Sequence, residues 1–185
     1  MKTKLIALLA VLLFSVGANA QNAPVNEQPV KKILIAYFSW GGNTQHVAEY
    51  IAALTGGTLF RIEPEKPYPA EYTPCTEVAK AEKEADARPA IKKKVEDWEQ
   101  YDTIFIGCPV WWWTAPMIIN TFTEGYDFKG KTVIPFCTYA STYRDETLAK
   151  IVELTPGSIH LQGFGTTGRN TGGVENWLRA IHVIR

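Results

Sequence analysis

Residues 33–44 read Ile33-Leu34-Ile35-Ala36-Tyr37-Phe38-Ser39-Trp40-Gly41-Gly42-Asn43-Thr44. Ile33 to Phe38 is apolar without a break. A strand of this kind needs cover on both faces, as a central strand of a parallel sheet does. Ser39 to Thr44 is a glycine-containing turn, and Gln45 to Leu54 follows with Val47, Ala48, Ile51 and Leu54 at helical spacing. Gly56-Gly57 stops that helix. A turn leading into a helix N-terminus presents main-chain N–H groups and the positive end of the helix dipole, which together attract an anion. Ser39 and Thr44 add hydroxyls and Asn43 an amide, and no Lys or Arg lies inside the turn. An anion there is expected to be held by neutral donors. Neither GxGxxG nor GxxxxGK[ST] is present, which argues against a dinucleotide or a nucleoside triphosphate. The plainer alternative is a strand-to-helix turn capped by Asn43 or Thr44.

Outward from this unit, strand and helix alternate. Thr58 to Ile62 reads as a second strand, and Pro64, Pro67 and Pro69 force an extended loop. Thr73-Pro74 reads as a cap followed by Pro at the first helical position, and Glu77 to Ala87 as a polar, exposed helix. Thr103 to Gly107 is a third, buried strand. Met117 to Phe122 begins a helix, and Thr132 to Cys137 is a fourth strand in which Pro135 predicts a local irregularity. Thr147 to Leu154 is a helix, Ser158 to Phe164 a fifth strand and Val174 to Ile181 a last helix. Such alternation predicts one α/β domain, its parallel sheet covered on both faces and its crossovers right-handed.

Two further loops share the sheet edge of the first turn if the strands are parallel. Pro109-Val110-Trp111-Trp112-Trp113-Thr114 follows the third strand. Three consecutive Trp cannot all be buried in so short a loop. A Trp at the carboxyl end of a central strand is well placed to stack on a flat ring. Trp111 is expected to pack, and Trp112 and Trp113 to meet a ligand, Trp112 foremost. The alternative is an apolar rim or a dimer contact. Thr138-Tyr139-Ala140-Ser141-Thr142-Tyr143 follows the fourth strand and offers hydroxyls, main-chain donors and a second ring face at Tyr139.

Composition narrows the function classes. Lys+Arg and Asp+Glu stand at 19 each, with no basic excess for nucleic acid. Cys75, Cys108 and Cys137 form no CxxC, and His46, His160 and His182 show no metal-ligand spacing. Cys108 and Cys137 lie at comparable points of neighbouring strands, either as a disulfide or as two buried thiols. At the start, Lys2 and Lys4 precede an apolar run from Leu5 to Val16, and Ala18-Asn19-Ala20 follows. This pattern predicts a signal peptide over 1–20, cleaved before Gln21. The run is too short for a membrane span, which takes roughly 20 apolar residues. No Cys follows it directly and no twin Arg precedes it. The expectation is an exported, periplasmic protein without a stable membrane anchor after cleavage, with a flexible lead-in over 21–31 and one domain over 32–185.

The stretches ILIAYFSWGGNT, LFRIEPEKPYP, TIFIGCPVWWWTAP, TFTEGYDFKGKTVIPFCTY and GVENWL resemble the flavodoxin-like family, in its small, short-chain, exported form. They span most of residues 31–180. The resemblance implies a three-layer sandwich with a five-stranded parallel sheet in order 2-1-3-4-5. It also implies non-covalent FMN. Carried over by position, Ser39, Trp40, Gly41, Gly42, Asn43 and Thr44 form the phosphate turn. Pro109, Val110, Trp111, Trp112, Trp113 and Thr114 on one side, and Thr138, Tyr139, Ala140 and Ser141 on the other, flank the ring. Two departures stand out: Gly41 replaces a hydroxyl residue of the family's S/T-x-T-G-x-T turn, and Trp113 falls where relatives often carry Gly. Trp resists the positive φ that Gly accepts, so a half-reduced flavin is expected to gain less support here.

The resemblance implies electron transfer with a redox partner protein or a small acceptor. An FMN-dependent two-electron reductase of quinones or similar acceptors is the alternative, and a cofactor-free binding module a further one. No catalytic acid or base, no metal ligand and no flavin-attachment motif stands out in the sequence.

Overall fold

The computed structural model describes residues 32–185. The signal peptide expected over 1–20 and the lead-in over 21–31 lie outside the described residues. The strands are β1 (Lys32–Tyr37), β2 (Thr58–Arg61), β3 (Tyr101–Pro109), β4 (Thr132–Tyr139), β5 (Ile159–His160) and β6 (Phe164–Thr167). The helices are α1 (Asn43–Thr55), α2 (Tyr72–Glu84), α3 (Met117–Glu124), α4 (Arg144–Glu153) and α5 (Val174–Ala180). All strand pairs are parallel, in order β2-β1-β3-β4-β5, with β6 also paired to β4. This is the 2-1-3-4-5 order of a flavodoxin-like sheet.

The side-chain alternation of β1 and β3 divides the interior in two. Leu34, Ala36, Phe38, Ile104, Ile106 and Cys108 face a core closed by Ile118, Ile119 and Phe122 of α3. Ile35, Tyr37 and Phe105 face the other, closed by Val47, Ala48 and Ile51 of α1 and Val174, Trp177 and Leu178 of α5. Continuous apolar strands are therefore used on both faces, as the run from Ile33 to Phe38 requires. Gly107 is confined to glycine by packing, since a Cβ there would come 2.0 Å from the ring of Phe136.

The fifth strand is not continuous, contrary to the expectation for Ser158 to Phe164. Its two pieces, β5 and β6, flank a break. Ile159 and Leu161 donate to the carbonyls of Lys131 and Val133. Alternate residues of a strand aim their main-chain groups at the same neighbour, so Pro135 turns toward this outer chain a nitrogen without hydrogen. Pairing resumes only at Phe136 with Phe164. The outer chain passes Pro135 at Gly163, where a Cβ would come within 3.0 Å of the proline ring. The irregularity expected of Pro135 thus falls on the neighbouring strand, while the pairing with β3 runs unbroken through Ile106 and Pro135.

Helix starts also differ from the sequence expectation. α1 is capped by Gly42 at φ 85, and Asn43 and Thr44 are its first residues. α2 begins at Tyr72 after Glu71, so Thr73-Pro74 sits inside the first turn. α4 begins at Arg144, before the expected Thr147.

Candidate functional site

Three loops leave the carboxyl ends of β1, β3 and β4 at one sheet edge. In the first, Ser39 and Thr44 are buried. Ser39 Oγ accepts from Gly42 N–H at 3.1 Å. This bond closes the turn and leaves the N–H groups at the start of α1 facing outward. Thr44 Oγ1 and Thr138 Oγ1 share a buried hydrogen bond of 2.8 Å, which ties the first loop to the third. The Trp40 indole N–H donates to the Pro69 carbonyl at 2.8 Å, and Arg61 donates to the Ser39 carbonyl at 3.3 Å.

The second loop is a reverse turn. Trp111 N–H donates to Thr114 O at 2.9 Å, and Thr114 N–H donates back to Trp111 O at 3.1 Å. Both central residues are left-handed, Trp112 at φ 45 and Trp113 at φ 71. Positive φ at both central positions is the type I′ pattern, ordinarily Asn-Gly. The expectation that Trp113 resists positive φ is therefore corrected. α2 supplies the reason: it grips the turn at several points. The Trp112 indole donates to Thr76 O at 2.8 Å, and Lys83 Nζ donates to the Trp112 carbonyl at 2.7 Å. Lys83 also lies 4.9 Å from the Trp113 ring centroid, and Lys80 lies 5.7 Å from that of Trp112. Trp111 packs as expected, edge-on to Phe38 and Tyr68 at 5.1 and 4.9 Å. Trp113 stays 56% exposed, 5.9 Å from the ring of Tyr143, which is itself at φ 63.

These loops surround one cavity of about 760 Å³, within the range of small-molecule and cofactor sites. Ser39, Trp40, Gly41, Asn43 and Thr44, Pro109 to Trp113, and Thr138 to Ser141 all line it. Gly42 and Thr114 are the nominated residues that do not: Gly42 turns toward Arg169, and Thr114 closes the Trp turn. No Asp or Glu is among the lining residues. Among the described residues no group of three or more His, Cys, Asp or Glu is arranged to hold a metal.

Residues 32–181 match the family model described as Flavodoxin. The chain belongs to the flavodoxin family. Its fold is similar to the crystal structure of a proposed flavoprotein from Bacteroides uniformis, at 36% identity and TM-score 0.71, over 80% of this chain and 98% of that one. A flavoprotein from Lactobacillus acidophilus, crystallised in complex with FMN, is 26% identical with TM-score 0.67, again over 80% and 98% of the two chains. Oxidised Flavodoxin 1 from Bacillus cereus shares the fold at 17% identity and TM-score 0.52, over 83% of this chain and 96% of that one. No curated protein matches the chain.

This flavodoxin-family site also takes residues that sequence reasoning missed. Tyr72, Cys75, Thr76 and Ala79 of α2 line the cavity at helical spacing, Thr167 and Gly168 join them, and Thr142 and Tyr143, already read as part of the third loop, complete it. The i, i+3, i+4, i+7 pattern of the α2 group was available as a signal once the helix start was set at Tyr72. Burial raises the Cys75 thiol above its ordinary range, with a smaller push from Glu82, so it is a neutral wall rather than a nucleophile. Behind Trp111, Tyr68 donates to Glu82 at 2.7 Å. Burial raises the Glu82 carboxyl, and the bond from Tyr68 partly offsets that.

Proposed function

We propose that this flavodoxin-family chain binds FMN non-covalently and works as an electron-transfer protein for a redox partner protein or a small acceptor. The carrying observation is that a carboxylate-free cavity joins a hydroxyl-lined helix start to a wall of Trp and Tyr side chains. The two ends suit the two ends of a flavin nucleotide. Ser39, Asn43, Thr44 and the amides at the start of α1 would hold a phosphate. Trp112, Trp113 and Tyr139 would flank a flat ring. When bound, FMN supplies reversible electron uptake, and the chain's groups bind, orient and screen it from water. The FMN complex of the Lactobacillus acidophilus relative supports the cofactor.

Electron carriage is favoured because Trp113 already has the left-handed backbone that a glycine would provide there. The near-balance of 17 cationic and 19 anionic side chains over residues 21–185 supports a second reading, a two-electron reductase of a small acceptor, since docking carriers gain from a strongly charged face. We also propose that the protein works after export, in the periplasm, with residues 1–20 removed.

The test is a titration of the purified protein with FMN followed by stepwise reduction under an absorbance scan. Tight binding with two separate one-electron steps supports the carrier. Tight binding with one two-electron step moves the assignment to the reductase. Failure to bind FMN overturns both and leaves a binding module.

A further inference from the structure

The loop between β6 and α5 carries a single cation, Arg169. Its backbone is braced. Asn170 N–H donates to Thr167 O at 3.2 Å, Thr166 Oγ1 donates to Asn170 O at 2.8 Å, and Gly172 N–H donates to Asn170 Oδ1 at 2.9 Å. Thr167 and Gly168, just before Arg169, line the cavity. The Arg169 guanidinium reaches back to the start of α1, where Nη2 lies 3.2 Å from the position of a Cβ on Gly42. Gly42 is the N-cap of that helix.

This is an unfavourable place for an Arg on its own. A helix N-terminus carries partial positive charge, and a cation beside it is repelled. Among the described residues no carboxylate pairs with Arg169. A second guanidinium, that of Arg61, donates to the Ser39 carbonyl of the same turn. The cavity wall beside Thr167 and Gly168 contains no Asp or Glu. An anion at this corner balances the helix end and the Arg169 guanidinium, and a dianion balances them best.

We propose that Arg169 recognises a phosphomonoester at the start of α1 and so selects a phosphorylated ligand over its dephosphorylated form. This rests on the FMN reading for the identity of the ligand, though not for the anion itself. The turn read from the sequence as a set of neutral donors thereby gains a charged one from a distant loop. An Arg–phosphate contact is charge-assisted and can be bidentate, which a Lys only partly reproduces.

The test is calorimetric titration of the wild type, R169Q and R169K with FMN and with riboflavin, at low and high salt. A parallel titration with inorganic phosphate follows the Asn43 and Thr44 amides by NMR. Arg169 is exposed, so both variants should fold, and circular dichroism checks this. The expected result is that R169Q weakens FMN about tenfold or more, leaves riboflavin unchanged and flattens the salt dependence. R169K should recover part of the loss. FMN binding equally well to wild type and R169Q overturns the role of Arg169 and leaves the FMN reading intact. If no flavin binds but phosphate shifts the two amides in wild type and not in R169Q, the FMN reading falls and the role of Arg169 stands. If neither flavin nor phosphate binds, both fall.

Discussion

Lys83 Nζ donates to the main-chain carbonyl of Trp112 across 2.7 Å, so a side chain of α2 holds the backbone of a turn that belongs to β3. The same ammonium lies 4.9 Å from the Trp113 ring. Lys83→Met keeps the stem but removes the charge and the donor. A hydrogen bond to a charged group contributes about 1.5–3 kcal/mol, and the partly exposed carbonyl can recover some of this from water. The expected loss in urea unfolding is about 1–2 kcal/mol, with faster hydrogen exchange at the Thr114 amide. Unchanged stability and exchange would mean that α2 does not hold the turn.

Trp113 at φ 71 allows a test of sign. In the left-handed region an L side chain costs roughly 1–2 kcal/mol that glycine does not. Trp113→Gly should therefore be more stable than Trp113→Ala by about 1 kcal/mol, the reverse of the usual order in a helix. Both variants remove the same exposed ring, so the difference isolates the backbone. Denaturant unfolding of the pair reads it directly, and Ala outranking Gly would show that this residue does not keep a positive φ.

Cys108 and Cys137 are register partners on β3 and β4, and both are free and buried. Burial raises both thiols, Cys137 to about 12 and Cys108 well above its ordinary range. Cys75 is raised as well. Since the thiolate is the reactive form, the folded protein should react slowly with iodoacetamide at neutral pH. Unfolding without reductant should expose all three thiols to alkylation. Mass spectrometry finding one alkylated cysteine instead would reveal a bridge between Cys108 and Cys137.

Glu82 carries a pH signature. Its carboxyl is raised above 4.5 by burial, with the Tyr68 hydrogen bond pulling the other way. A raised folded value means that the folded state holds the proton more tightly than the unfolded chain. The resulting stabilisation is complete below about 4.5 and is lost as pH rises through the folded value. Glu82→Gln removes this proton linkage. Relative to that variant, the wild type should lose stability as pH rises from acid to neutral, measured by unfolding at a series of pH values. A constant difference would show that the carboxyl is not desolvated.

The sequence displayed the sheet clearly because its central strands are apolar on both faces, as in Ile33 to Phe38 and Thr103 to Gly107. Their loops could then be assigned to one edge before any coordinates. The tryptophan turn was visible as a site, but its backbone was not. Intrinsic preference forbids what the contacts of Thr76, Lys80 and Lys83 impose on Trp112 and Trp113. Arg169 was invisible for a different reason. Nothing local marks it, and only the closure of the sheet brings it beside Gly42. Thr73-Pro74 imitates a cap and so leaves Tyr72 outside the expected helix, and the polar, exposed look of the sequence that follows hides the cavity wall of Cys75, Thr76 and Ala79.

The break opposite Pro135 bears on how these molecules behave when crowded together. An exposed sheet edge is a template on which a second chain can zip, and ordered fibre pairing runs over six or seven residues. The outer margin here is cut into β5, of two residues, and β6, of four, with Gly163 stepping past the proline between them. Neither fragment is long enough to seed such pairing. A residue that interrupts the sheet internally therefore also protects this flank against edge-on polymerisation.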